Sequence, residues 1–463
     1  MTRDNRPGPA ALRFACAGVL SLIVLGVGWP ARAGQAPPAP PAVRLAILPF
    51  MGPEVPERYG LALAQAVRSG LQQVRAIRLA SAGEIAAGLD RLGLSPGDRI
   101  PDEALLVLAK SLGVRALITG AFEVDGETVR IRSRLADPNG AGRVAAGEES
   151  QGPAIGYAAA AQKIVARALA DLAVRQTELD GQRLQQAFGG EPIPPALYGL
   201  YAEGVWDQGL GTREAHERAI ALLTKATEGD PNFALARIAL GLSLYATSQR
   251  WKASGEFRKA IQIDGKLAEA HKLLGDMLVS SPRRLYDQAI QAYGAALTQA
   301  PDYAEARVGL GDAYQAKGQY DSAIEEYKKA LAMEPENARV HYGLGKIYYN
   351  EKGLYHEAVA EYQKAATLDP RLLEVQLSLG ELYDEKGLHQ VAVARYEYVL
   401  SIDPKHPGAT YGLAQAYEHV NVQKAIGYWE RYIELAATLP SEKDWVEIAR
   451  KHLDKLQRGE KPR

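Results

Sequence analysis

The chain of 463 residues holds one cysteine, Cys16, so an intrachain disulfide and paired-thiol chemistry are excluded. It has little net charge: 54 Lys and Arg stand against 55 Asp and Glu, for a formal −1. Such a balance offers no bulk field to draw in nucleic acid or an anionic surface. Histidine is scarce and uneven. All eight (His216, His271, His341, His356, His389, His406, His419, His452) lie in the carboxyl-terminal two thirds. Residues 43–175 therefore contain neither His nor Cys, the usual general base and nucleophile. No histidine pair has HExxH spacing, and no P-loop or G-x-G-x-x-G is present. Glu54 and Glu57 follow an apolar run among prolines and read as loop acids. The expectation is a non-enzymatic protein with no catalytic residue, no metal site and no cofactor.

The apolar run Phe14–Val27 is short for a membrane span. Arg3, Arg6 and Arg13 precede it and Ala31, Arg32 and Ala33 follow as a small-x-small site. Residues 1–33 thus read as a secretory signal cleaved after Ala33, placing the protein in the periplasm or outside the cell. Retention through residues 14–27 as a membrane anchor is the alternative. Cys16 has no lipoprotein-box leucine before it. Residues 34–42 form a Pro-rich extended linker.

Residues 43–175 alternate between strand and helix patterns. Val43–Phe50 is a continuous apolar run, the mark of a buried strand. Tyr59–Val74 has helical spacing at Leu63, Val67, Leu71 and Val74. A short strand is expected at 76–79, a helix over 101–113 with Asp102 and Glu103 in its first turn, and a strand at 114–120. Asp125 and Gly126 turn a hairpin between 121–124 and 128–136. A strand over 142–148 and an Ala-rich helix over 155–174 complete an α/β domain with a mixed sheet. The runs LAILPF at 45–50 and AKSLGVRALITGAFEVDGETVRIRSRLAD at 109–137 resemble the amino-terminal domain of the TolB type. That resemblance implies an exported, envelope-associated protein, although such domains also precede repeats in bacterial regulators. The usual Trp of the last strand is missing. Residues 176–195 read as a linker, with Gly189, Gly190, Pro192, Pro194 and Pro195.

Beyond this the sequence repeats itself. Leu310-Gly311 with Tyr314, Leu344-Gly345 with Tyr348, and Leu379-Gly380 with Tyr383 share one spacing. Each is followed by an Ala four residues before an aromatic: Ala323 and Tyr327, Ala358 and Tyr362, Ala392 and Tyr396. Turns fall at Pro231, Gly265, Pro301, Pro335, Pro370 and Pro404, at intervals of 34, 36, 34, 35 and 34. The pattern resembles the tetratricopeptide repeat, with Arg307, His341 and Gln376 in place of the consensus Trp. The resemblance implies an all-α solenoid of about seven helix pairs over 196–440, with repeats at 196–231, 232–265, 266–301, 302–335, 336–370, 371–404 and 405–440. A polar-faced capping helix is expected over 441–457, with Trp445, Ile448, His452 and Leu456 on one side, and a tail at 458–463.

In such solenoids the first helix of each pair lines the concave face. The resemblance implies that the residue two before the Leu, and those one and four after the Gly, face inward. These positions hold Lys272, Asp276, Val308, Asp312, Gln315, Tyr342, Lys346, Tyr349, Leu377, Glu381, Asp384, Tyr411, Gln415 and Glu418. Amphipathic tyrosines among charges suit peptide recognition; a plain solvated helix face is the alternative. The function expected is a scaffold that binds a protein or peptide partner of the envelope, not nucleic acid. A sensor or regulatory input module, and a carbohydrate-binding accessory protein, are the other readings.

Overall fold

The structure is a computed structural model that describes residues 42–460, apart from 53–56, 96–97, 126–127, 141, 154–156 and 189–192. The expected signal, most of the Pro-rich linker, Gly126 and Glu54 lie outside the described residues. The described residues from Val43 onward form one compact unit. No helix among the described residues is long and apolar enough to cross a membrane.

The α/β part runs β1 (Val43–Met51), α1 (Glu57–Gln72), β2 (Ile77–Leu79), α2 (Ala82–Asp90), α3 (Asp102–Ser111), β3 (Ala116–Asp125), β4 (Thr128–Asp137), β5 (Arg143–Pro153), α4 (Tyr157–Asp171). The sheet order is β2-β1-β3-β4-β5. β1 is parallel to both neighbours, while β3, β4 and β5 are antiparallel. Leu45–Phe50 is buried throughout because helices cover both faces of β1. Leu45 and Ile47 pack with α1 and α4, and Ala46 and Leu48 pack with α2 and α3. In β4, Val129, Ile131 and Leu135 are buried while Arg130 and Arg132 are exposed.

Three readings are corrected. The strands expected at 114–120 and 121–124 are one continuous strand, β3, in which Gly120 leaves room for the Phe50 ring and the Arg132 carbonyl. Residues 82–90, left without structure by the sequence reading, form α2, whose N-cap Ser81 and N3 Glu84 make a capping box. The stretch 176–195, read as a linker, contains a helix, α5 (Glu178–Phe188), started by reciprocal bonds between Thr177 and Asp180.

Seven helix pairs follow: α6 (Pro195–Leu210) and α7 (Arg213–Gly229), α8 (Ala234–Ala246) and α9 (Arg250–Ile263), α10 (Ala268–Val279) and α11 (Tyr286–Gln299), α12 (Ala304–Ala316) and α13 (Tyr320–Met333), α14 (Ala338–Asn350) and α15 (Tyr355–Leu368), α16 (Leu373–Glu385) and α17 (His389–Ile402), α18 (Pro407–Val420) and α19 (Val422–Ala436). The last helix is α20 (Lys443–Gln457). Its buried residues are Val446, Ala449 and Leu456; of the expected stripe Leu456 is buried, Ile448 and His452 are half-buried, and Trp445 is half exposed.

Apolar packing passes from pair to pair, each pair burying its stripe on the next. At the amino-terminal end it does not stop at a domain boundary. Leu63 and Val67 of α1 share one core with Tyr198, Tyr201 and Ala202 of α6.

Candidate binding groove

First helices of successive pairs meet one another directly: α6 with α8, α10 with α12, α12 with α14, and α16 with α18. Second helices make no comparable contact, so the stack curves with the first helices on its inner side. The floor of that groove is set by aromatic rings arriving from the second helices. Tyr327 lies where Cβ atoms added at Gly311 and Gly343 would come within 2.6 and 3.1 Å of its ring. Tyr293 lies likewise against Gly275 and Gly309, and Tyr396 against Gly380 and Gly412. Each ring is therefore held between the first helix of its own pair and that of the next. The glycines are there for this approach, which outweighs their helix-propensity cost of about 1 kcal/mol each.

The rings carry their hydroxyls through to the inner side. Tyr293 Oη donates to Asp276 Oδ1 at 2.7 Å, and Tyr327 Oη donates to Asp312 Oδ1 at 2.6 Å and lies 2.9 Å from Gln315 Oε1. Where the residue after the repeat Gly is Leu242, the ring is Phe257, which has no hydroxyl to satisfy. Burial drives the Tyr293 and Tyr327 hydroxyls well above the usual phenol range, and the adjacent carboxylates add to it.

The expected row divides in two. Lys272 pairs with Asp276 at 2.7 Å, Asp312 takes a guanidinium N–H of Arg339 at 2.5 Å, and Asp384 holds His389 Nδ1 at 2.7 Å. Val308 is buried. Tyr411 packs edge-on against Trp429, Tyr432 and Trp445. Glu418 is buried beneath Trp429 and His452. These side chains build the groove wall. Tyr342 tilts onto Tyr362 with the Lys346 ammonium 5.6 Å from its ring centroid, and Tyr349 meets Tyr355. Glu381 and Gln415 are exposed, and Gln315, Lys346, Tyr349 and Leu377 are half-buried. The sequence reading missed the Tyr293, Tyr327, Tyr362 and Tyr396 positions as groove groups. Their signal is Tyr rather than Phe at the aromatic position, opposite a polar residue after the Gly.

Burial also holds the Asp312 carboxyl above the usual carboxylate range, against the pull of Arg339 and Tyr327. A carboxyl raised in this way binds its proton more tightly folded than unfolded. Its ionised form therefore burdens the fold at neutral pH, and folding gains as pH falls through the folded value. Asp312→Asn is expected to unfold at a higher temperature than the parent at pH 7, with the gain disappearing by about pH 3, below both titrations. Thermal melts at the two pH values check this; a lower melting temperature at pH 7 contradicts it.

Residues 311–351 match a family model described as TPR repeat, and residues 284–326, 338–372 and 377–440 match models described as tetratricopeptide repeat. These residues carry tetratricopeptide repeats. No curated protein matches the chain. Solved structures similar to the tetratricopeptide part include MamA, 28% identical over 36% of this chain and 95% of its own, with a TM-score of 0.33. YrrB, titled a TPR protein with an unusual peptide-binding site, is 21% identical over 40% of this chain and 95% of its own, TM-score 0.33. The pilF protein of Pseudomonas aeruginosa is 22% identical over 45% of this chain and 94% of its own, TM-score 0.40.

Proposed function

We propose that the chain is an exported, non-enzymatic scaffold of the cell envelope whose tetratricopeptide groove holds a peptide or protein partner. Tetratricopeptide arrays are in general protein-interaction scaffolds, because a preformed curved surface loses little ordering entropy on binding. The observation that carries the reading is the inner row itself. Between Asp312 and Gln415 the wall is fixed by internal bonds, while Lys346, Tyr349, Glu381 and Gln415 are left at the surface. Half-buried tyrosines beside exposed polar groups make the amphipathic anchors that peptide sites use. In this reading the α/β part, with its TolB-type resemblance, docks to a second envelope component, and residues 1–33 direct export.

A crosslinking pull-down from the envelope fraction, read by mass spectrometry, tests it. Bait is the intact chain beside a Tyr349→Ala, Glu381→Ala, Gln415→Ala variant. Tyr411 is left in place because its ring packs inside. Loss of one specific partner by tenfold or more, about 1.4 kcal/mol, is expected from removing groove anchors. A partner set unchanged in the variant removes the groove from the proposal. Recovery of the chain in the cytoplasmic fraction removes the export.

A further inference from the structure

The α/β part meets the repeats twice. The first contact is apolar. Helices α1 and α2 pack on α6, and Leu184 of α5 and Leu273 and Met277 of α10 flank the core that α1 and α6 share. The second contact falls on turns much further along the chain and is made by arginines. Arg183 of α5 pairs with Asp302, in the turn that leads into α12. Arg75 Nη2 donates to the Met333 carbonyl oxygen at 2.5 Å, and Arg78 Nη2 lies 3.4 Å from Glu334 Oε1, at the turn that leads into α14. The pieces that carry these arginines are tied together, because Arg75 N donates to the buried Asp180 Oδ1 at 3.1 Å and so joins the turn between α1 and β2 to α5.

A body seated at one end of a curved stack reaches later turns across the hollow of the curve. The arginines therefore stand on the rim of the groove, at the amino ends of α12 and α14, and the span from α6 to that rim runs past α8, α10 and α12. Root and rim differ in strength. The clusters built around Tyr293 and around Tyr327 contain no residue of the α/β part, so among the described residues no shared apolar core seals the rim. Arg78 is more than half exposed, and exposed ion pairs hold weakly and are screened by salt. Arg183 and Asp302 are better shielded, each with 23% of its side chain exposed, which makes this pair the main fastening.

We infer that α5 and the turn between α1 and β2 form a lid over the amino-terminal half of the groove, hinged on the apolar contact with α6 and latched by Arg183 on Asp302 and by Arg75 and Arg78 at Met333 and Glu334. Closed, the lid covers the inner sides of α8, α10 and α12, where Asp276 and Asp312 lie. Helices α14, α16 and α18, with Tyr349, Glu381 and Gln415, lie beyond the latch and stay open. That a partner enters by this open half rests on the groove reading above; the latch itself does not.

The test uses the intact chain with Cys16→Ser, Gln185→Cys and Glu336→Cys, spin-labelled at positions 185 and 336, both exposed in the parent. Double electron–electron resonance reads the distance between the labels. One narrow distribution is expected at low salt. At about 1 M salt, where charges are screened beyond about 3 Å, the share of a longer and broader population should rise about threefold or more. Arg183→Glu should produce that population at low salt. Arg183→Glu combined with Asp302→Arg should abolish it, which a chain that merely misfolds could not do. A broad distribution in the parent at low salt overturns the inference. So does one narrow distribution in every sample, or a charge-swapped chain that stays as broad as Arg183→Glu alone.

Discussion

Replacing Trp429 by alanine is expected to remove about 3–5 kcal/mol of stability, and to do so at one end of the molecule only. The Trp429 ring is fully buried. It lies edge-on to Tyr411 at 5.0 Å between centroids and tilts on His452 at 5.1 Å. Its Nε1 donates to Glu418 Oε1 at 2.8 Å, and His452 Nδ1 lies 2.8 Å from the same oxygen. The substitution thus opens a cavity and strips one of two partners from a buried carboxylate, and it removes the ring on which His452 of α20 packs. Each pair in such an array contacts only its neighbours, so the loss should stay local. Hydrogen exchange should rise over residues 407–457 and stay unchanged in the sheet at 43–153. Trp429→Phe keeps most of the ring and loses only the indole bond, for about 1–3 kcal/mol. A uniform rise in exchange along the whole chain would contradict the modular account.

That modularity is the part of the protein most legible in the sequence. A fixed interval with Leu-Gly, Ala and an aromatic in register is a local signal, repeated often enough to remove ambiguity, and the seven pairs stand where it places them. The α/β part was legible as elements, because β1 is an unbroken apolar run and β4 alternates. What could not be read is tertiary. That Gly120 sits inside a strand depends on the Phe50 ring beside it. That Val446 and Ala449 are buried more deeply than Trp445 and Ile448 depends on which face of α20 meets α19. Two helices were overlooked although Ser81 with Glu84 and Thr177 with Asp180 announce them, since capping signals were outweighed by nearby glycine and proline. In the groove, position along the repeat picked out the inner row. It could not tell Asp312, engaged by Tyr327 and Arg339, from the exposed Glu381, because the partners come from other helices.

Gly209→Ala is expected to destabilise, and Gly255→Ala to stabilise, although both replace a helical glycine by the best helix former. At Gly255, in α9, an added Cβ meets nothing within 4 Å, so the propensity gain of roughly 0.5–1 kcal/mol should appear in full. At Gly209 the added Cβ would lie 2.6 Å from Ala82 Cβ, while an added Cβ at Gly83 would lie 2.9 Å from Gly209 O. A helix of the α/β part and the first helix of the repeats touch there with only the Ala82 methyl between them. Forcing a methyl group in should cost about 1–3 kcal/mol, as overpacking does elsewhere, and reverse the sign. The consequence reaches beyond a number. α6 is a first helix that packs on α1 and α2 of the α/β part, and its Tyr198, Tyr201 and Ala202 share the core of the sheet. Through it the α/β part and the first repeats should unfold as one cooperative unit in the parent. Prying α6 away should split that transition, with fluorescence of Trp206 reporting the junction and far-ultraviolet circular dichroism reporting the remaining helices. Coincident transitions in Gly209→Ala, or equal gains at the two glycines, would mean that the two halves do not bear on each other at this contact.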